Sequence, residues 1–249
     1  MIGRTLGTAF LGSFSLANQI TRFVAEAVIG PLWLTLYVQV LQTEDARRFQ
    51  NYPKLARAAA LILFPTATLG AAEADFLIER LLGPSWLAMS PLFQLLLLTY
   101  AFGSAGTLGS AILYAKGQTS IQLRITAEAT EIRLVSVVLS FFTGPWVLWV
   151  GLPAANVFAG WRGAVASCHS ADLSPFTLIK PLLIPGVCAV GAGLLCWSTT
   201  QFLQSSIVSV LLELTASFSA YLLSLFLLDR EQLSSEMTKL FWLLSPRAR

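Results

Sequence analysis

Runs of about 20 apolar residues, long enough to cross a hydrocarbon core of about 30 Å, recur from one end of the chain to the other. Two of them, at 55–72 and 86–115, flank an acidic link that holds Glu73, Asp75, Glu79 and Arg80 and then the string Leu81-Leu82-Gly83-Pro84-Ser85-Trp86. No soluble fold hides so many runs. Only 12% of the 249 residues are charged, where a soluble domain carries about 25%, so too little polar surface remains to cover a core. The runs are also nearly continuous, as at 92–98 (LFQLLLL) and 222–228 (LLSLFLL). Strands of a membrane barrel alternate apolar and polar residues instead. The expected fold class is therefore an all-α integral membrane protein.

In order, the expected spans are 20–41, 55–72, 86–115, 121–142, 146–165, 181–201 and 207–228, about seven in all. The first contains Pro31 and Trp33, and a polar loop holding TEDARRFQNYPK follows it. Thr143-Gly144-Pro145 reads as a tight turn between the fourth and fifth. A short link at Gln204-Ser205-Ser206 precedes the seventh, and a charged tail occupies 229–249.

Basic residues fall on every other connection. Arg47, Arg48, Lys54 and Arg57 follow the first span, Lys116 and Arg124 the third, and Arg162 and Lys180 the fifth. Arg230, Lys239, Arg247 and Arg249 lie in the tail, while the intervening links hold Arg80 or no basic residue. Because cytoplasmic loops collect Lys and Arg, these four regions are expected inside and the N-terminus outside. The expected location is the cell inner (plasma) membrane, multi-pass, with a cytoplasmic C-terminus. An outside N-terminus without a basic leading segment or a signal peptide points to further helices upstream.

Four segments carry a resemblance. Leu11-Gly12-Ser13-Phe14-Ser15-Leu16-Ala17-Asn18 looks like a G-Y-Y-S-x-A segment before a helix, with Phe14 where Tyr is usual. Gly30-Pro31 through Glu44-Asp45-Ala46-Arg47-Arg48 is similar to the span and acidic-basic loop that follow it. Leu81-Leu82-Gly83-Pro84-Ser85-Trp86 looks like L-L-G-x-x-W ahead of an apolar helix, and Lys116-Gly117-Gln118 resembles an A-x-G-[RK] loop. Together they resemble the polysaccharide transporter (O-antigen and exopolysaccharide flippase) branch of the multidrug/oligosaccharidyl-lipid/polysaccharide exporter superfamily. The likeness covers about residues 5–165. The chain departs from the family's P-x-[FL]-[SA]-R at Tyr37-Val38-Gln39-Val40, so no residue of that loop is carried over.

In that family roughly 12 to 14 spans form two lobes related by an internal repeat. The resemblance implies that 1–228 is the transmembrane domain, resembling the second, C-terminal lobe of a longer two-lobe exporter, with 229–249 a cytoplasmic tail. It implies flipping of lipid-linked oligosaccharide or polysaccharide precursors, as in lipopolysaccharide and exopolysaccharide assembly. The implied partners are the lipid bilayer, the lipid-linked oligosaccharide and a missing N-terminal lobe.

Charges inside spans point to a translocation path, because an ionisable group at mid-bilayer costs a few kcal/mol unless buried or watered. Arg124, Glu128 and Glu131 stand at i, i+4 and i+7, in one helical stripe, and Arg133 falls on the opposite side. Either the stripe lines a polar cavity and meets a sugar or pyrophosphate head group, or it marks the interfacial end of its helix. Its place in the first half of the span favours the interface. Arg22 and Glu26, four residues apart, pose the same choice. These five residues are the substrate-cavity candidates. Glu213 lacks a basic neighbour at helical spacing and has Ser217 on the next turn. Gly103, Gly106 and Gly109 suit close helix packing more than a hinge.

Other chemistry finds little support. A G-x-x-x-x-G-K-[ST] loop, an H-E-x-x-H motif and a Ser-centred elbow are absent, and His169 is the single histidine, which argues against an ATPase or hydrolase. Cys168, Cys188 and Cys196 lack paired metal-ligand spacing and read as buried free thiols. The basic residues are loop anchors rather than a nucleic-acid patch. No enzyme activity, cofactor, metal or nucleic-acid partner is expected. The alternatives are a small-molecule or drug antiporter of the same superfamily, a membrane-bound glycosyl- or acyltransferase using the link 73–80, and an inactive transporter fragment.

Overall fold

A computed structural model describes residues 8–42, 49–144, 146–200 and 207–229, with the side chains of 8–11, 13 and 180 left aside. Among the described residues the regular structure is entirely helical. The helices are α1 (Thr8–Gln42), α2 (Tyr52–Ala72), α3 (Ala74–Leu82), α4 (Ser90–Phe102), α5 (Ser104–Ala115), α6 (Thr119–Thr143), α7 (Trp146–Ser170), α8 (Ile179–Thr200) and α9 (Ile207–Leu228). Short 3₁₀ turns occupy Pro84–Met89 and Pro175–Leu178. Arg47, Arg48, the link at 204–206 and the tail beyond Asp229 lie outside the described residues.

Five segments among the described residues are long and apolar enough to cross a membrane: Phe14–Gln42, Tyr52–Ala72, Pro84–Phe102, Pro181–Thr200 and Ile207–Leu228. Helices α6 and α7, 25 residues each, reach about 38 Å at 1.5 Å per residue. They are less apolar than those five. Helix α6 spends positions on Arg124, Glu128, Glu131 and Arg133, and α7 on Asn156, Arg162, three glycines and Pro153.

Two elements differ from the sequence reading. The acidic link contains a nine-residue helix, α3, which ends where Gly83 takes φ 95°. A side chain there would be strained, so Gly-Pro after two leucines is a stop signal with a physical cause. The expected continuous helix at 86–115 is instead interrupted at Gly103, between α4 and α5. Gly103 N–H still donates to Thr99 O at 2.9 Å, and Thr107 N–H donates to Gly103 O at 3.3 Å. The interruption is therefore local.

The exposed faces are what a lipid-facing bundle requires. On α9, Leu211, Leu212, Leu222, Leu223, Phe226 and Leu227 are exposed, while Glu213, Ser217 and Tyr221 are buried. That arrangement inverts the soluble-protein rule. Between apolar helices in lipid there is little hydrophobic drive, so small residues and polar contacts hold the bundle. Helices α5 and α7 touch backbone to backbone along Gly103, Gly106, Gly160 and Gly163. Gly151 of α7 sits on Ser136 of α6, and Gly193 of α8 on Thr68 of α2.

Hydrogen bonds then fix directions. Tyr221 Oη donates to Leu61 O (3.1 Å), and Arg57 Nη2 pairs with Asp229 Oδ2 (2.8 Å), so α9 runs antiparallel to α2. Trp33 Nε1 donates to Ser110 Oγ (2.9 Å), and Tyr100 Oη donates to Asn18 Oδ1 (2.9 Å), so α1 runs alongside α4–α5 in the same sense. Tyr52 Oη, on a fully buried ring, donates to Ala105 O at 2.9 Å. At the same end Lys116 Nζ donates to Ser170 O and lies over the Phe49 ring.

Candidate substrate cavity

A cavity of about 670 Å³ opens between α1, the α4–α5 pair, α6 and α7. The glycine seam makes its floor: Gly103, Gly106, Gly160 and Gly163 all line it. Without Cβ atoms at these positions the two backbones close together, and the space above them stays open. The interruption at Gly103 borders the cavity near the middle of the 90–115 stretch. Irregular backbone at membrane depth is tolerated where it is buried in protein or lines such a space.

The walls mix apolar side chains, among them Phe14, Leu96 and Ile125, with many polar ones. Helix α1 contributes Asn18 and Arg22, α4 Thr99 and Tyr100, α5 Thr107 and Ser110, α6 Gln122, Thr126 and Arg133, and α7 Asn156. Arg133 Nη2 donates to Asn156 Oδ1 at 2.9 Å, which holds the guanidinium against the wall by one corner. The fork's remaining N–H groups stay available. The Oε1 atom of Gln122 is buried without a hydrogen-bond partner. The lining includes two arginines and no carboxylate; Glu26 pairs with Arg22 beside it, and Arg133 is the arginine of the lining without a carboxylate partner among the described residues. Guanidinium forks suit phosphate oxygens, while Asn, Gln, Thr and Tyr groups match sugar hydroxyls in either hydrogen-bonding sense.

The sequence candidates divide around this cavity. Arg22 lines it, with its Nε donating to Glu26 Oε1 at 2.7 Å; both side chains are more than half exposed. Arg124, Glu128 and Glu131 are absent from its lining. Arg124 Nε donates to Glu128 Oε1 at 3.0 Å, and Arg162 of α7 reaches the same carboxylate at 3.1 Å. Glu128 therefore ties α6 to α7, and Glu131 is exposed. Arg133, on the other side of α6, points into the cavity. Its partner Asn156 and the hydroxyl-rich α4–α5 wall drew no notice in the sequence, where uncharged polar residues carry no weight in a search for intramembrane charge.

Of the cavity helices, α1 lies within the stretch that a family model matches. A family model described as "Polysaccharide biosynthesis protein" matches residues 1–91. Over 234 residues the chain is 24% identical to the teichuronic acid biosynthesis protein TuaB of Bacillus subtilis (strain 168), covering 89% of this chain and 47% of that protein. Both matches are to proteins named for polysaccharide biosynthesis. The chain spans about half the length of this curated relative. No solved structure matches it. The likeness to polysaccharide biosynthesis proteins agrees with the apolar helices among the described residues.

Proposed function

We propose that this chain is one lobe of an exporter that flips lipid-linked oligosaccharide or polysaccharide precursors across the cytoplasmic membrane, as an integral membrane transport module. The observation that carries the reading is the arginine-bearing cavity inside a body whose outer faces are apolar. Its polar lining fits a sugar-phosphate head group, and the bilayer around it accommodates the lipid. The second lobe of the transporter would lie across the open side, between α1 and α6, and the two would rock about the cavity.

In this reading all seven long segments cross the bilayer, with α4 and α5 forming one crossing. Support comes from the antiparallel pairing of α6 with α7, through Glu128–Arg162 and Ser136–Gly151. Those contacts span about a third of α6 and about half of α7. The end bearing Arg57, Lys116 and Arg162 faces the cytoplasm, and α3 lies on the outer side. A drug antiporter of the same superfamily is less well supported. Cationic drugs call for carboxylates, and none lines this cavity.

The test is binding of a polyprenyl-pyrophosphate-linked oligosaccharide to the purified chain in detergent. Arg133→Ala removes a charged donor from the cavity, worth about 1.5–3 kcal/mol. Binding should weaken about 10- to 100-fold. Arg124→Ala, on the far face of α6, should bind within about twofold of the parent. Equal losses from both substitutions would remove the cavity from the binding path.

A further inference from the structure

On the other side of α2 from the cavity, three side chains from distant parts of the chain converge. Glu73 joins α2 to α3, Cys196 lies near the end of α8, and Glu213 lies in the second turn of α9. All three are buried, at 3%, 0% and 7% exposure. Each offers one donor atom, and the three atoms lie within 4.8 Å of one another. The Cys196 thiol donates to Glu73 Oε1 at 3.4 Å. The second oxygen of Glu213, Oε2, is buried without a hydrogen-bond partner.

We propose that Glu73, Cys196 and Glu213 bind a divalent cation of the zinc class, pinning α2, α8 and α9 together at the end of the bundle that carries α3. Two carboxylates this close in an apolar setting repel each other and lose their hydration. Among the described residues neither forms a salt bridge to a basic side chain. A divalent ion offsets two of the three negative charges that the carboxylates and the thiolate then carry, and supplies the unpartnered Glu213 oxygen with a bond.

The donor set selects the ion. Calcium and magnesium take six or more oxygens, whereas a thiolate with two carboxylates suits zinc and its borderline relatives. Zinc–sulfur and zinc–oxygen bonds of about 2.3 and 2.1 Å would draw the three donors inward by about 1 Å. Binding replaces the thiol proton by the metal and releases that proton to solvent. Ser217, buried one turn along α9, or a water fills the fourth position. The site shares no residue with the substrate cavity, so it stands or falls separately from the transport reading.

The experiment is cobalt titration of the metal-stripped, purified full chain in detergent under anaerobic conditions. A thiolate-to-cobalt charge-transfer band should saturate at one ion per chain and disappear on addition of zinc. The band should persist in Cys168→Ser/Cys188→Ser, which removes the other two thiols. It should vanish in Cys196→Ser, and Glu213→Gln should weaken cobalt binding at least tenfold. A parent chain without the band overturns the site even if every variant misfolds, and so does a trio that merely shares a proton, which gives no band. A band retained in Cys196→Ser, or binding unchanged in Glu213→Gln, overturns it as well.

Discussion

Gly106→Ala should destabilise the folded chain by about 3 kcal/mol or more, at the upper end of what single overpacking substitutions cost. A Cβ at position 106 would lie 1.9 Å from Gly160 O, 2.6 Å from its carbonyl carbon and 2.8 Å from its Cα. These are backbone atoms of α7, which cannot rotate aside as a side-chain tip can. The same seam is tight from the other side, where a Cβ on Gly160 would meet Gly103 Cα at 2.6 Å. One methyl group must therefore push α5 and α7 apart along their length. In lipid, where close van der Waals contact is a main source of helix association, that separation forfeits much of the pairing. It also shifts the cavity floor, so under the proposed transport role head-group binding should fall with stability. Thermal unfolding of the purified chain in detergent reads the effect. Gly191→Ala is the control, because a Cβ there meets nothing within 4 Å, and it should melt with the parent. A Gly106→Ala chain that also melts with the parent would refute the backbone contact.

The long helices were legible because their cause is local. Twenty apolar residues impose a helix whatever surrounds them, and the expected seventh span coincides with α9 (Ile207–Leu228). Helix α2 begins three residues before the expected 55, at Tyr52, because Pro53 belongs to the first turn of a helix rather than to the loop. Helix α3 escaped notice since nine residues with Glu and Arg among them vanish in a window sized for a membrane span. The interruption at Gly103 depends on where α7 presses, and sequence spacing does not encode that.

The cavity was legible only in part for the same reason. Arg124, Glu128 and Glu131 share a stripe on any helix, but which face of α6 meets α7 is set by the Ser136–Gly151 contact and by Arg162 reaching Glu128. Those contacts turn Arg133 inward. Glu73, Cys196 and Glu213 lie still further from linear recognition, since Cys196 is 123 residues from Glu73. The expectation that the cysteines are buried free thiols matches the structure for all three, yet it said nothing about what stands beside them.

Asp229→Asn should cost about 3–5 kcal/mol, the usual penalty for removing one partner of a buried ion pair. Sequence reading assigns Arg57 to the basic face of the membrane and Asp229 to the first position of a charged tail. In the structure both side chains are buried, with side-chain exposures of 4% and 8%, and Arg57 Nη2 sits 2.8 Å from Asp229 Oδ2. Asparagine keeps the shape but takes away the charge that balances a guanidinium held away from water. Arg57→Met should be comparably damaging, because it strands the carboxylate. The double variant Arg57→Met/Asp229→Leu removes both charges and their desolvation cost, and it should recover most of the loss. Thermal or denaturant unfolding of the four proteins gives the coupling. Additive losses, or an Asp229→Asn chain within about 0.5 kcal/mol of the parent, would mean that water reaches the pair. Helix α9 presents an apolar outer face to lipid, so its attachment to α2 depends on polar contacts spaced along the antiparallel pair. Arg57–Asp229 and Tyr221 to Leu61 O are two such contacts, and Tyr221→Phe should cost only about 1 kcal/mol, the worth of one neutral hydrogen bond.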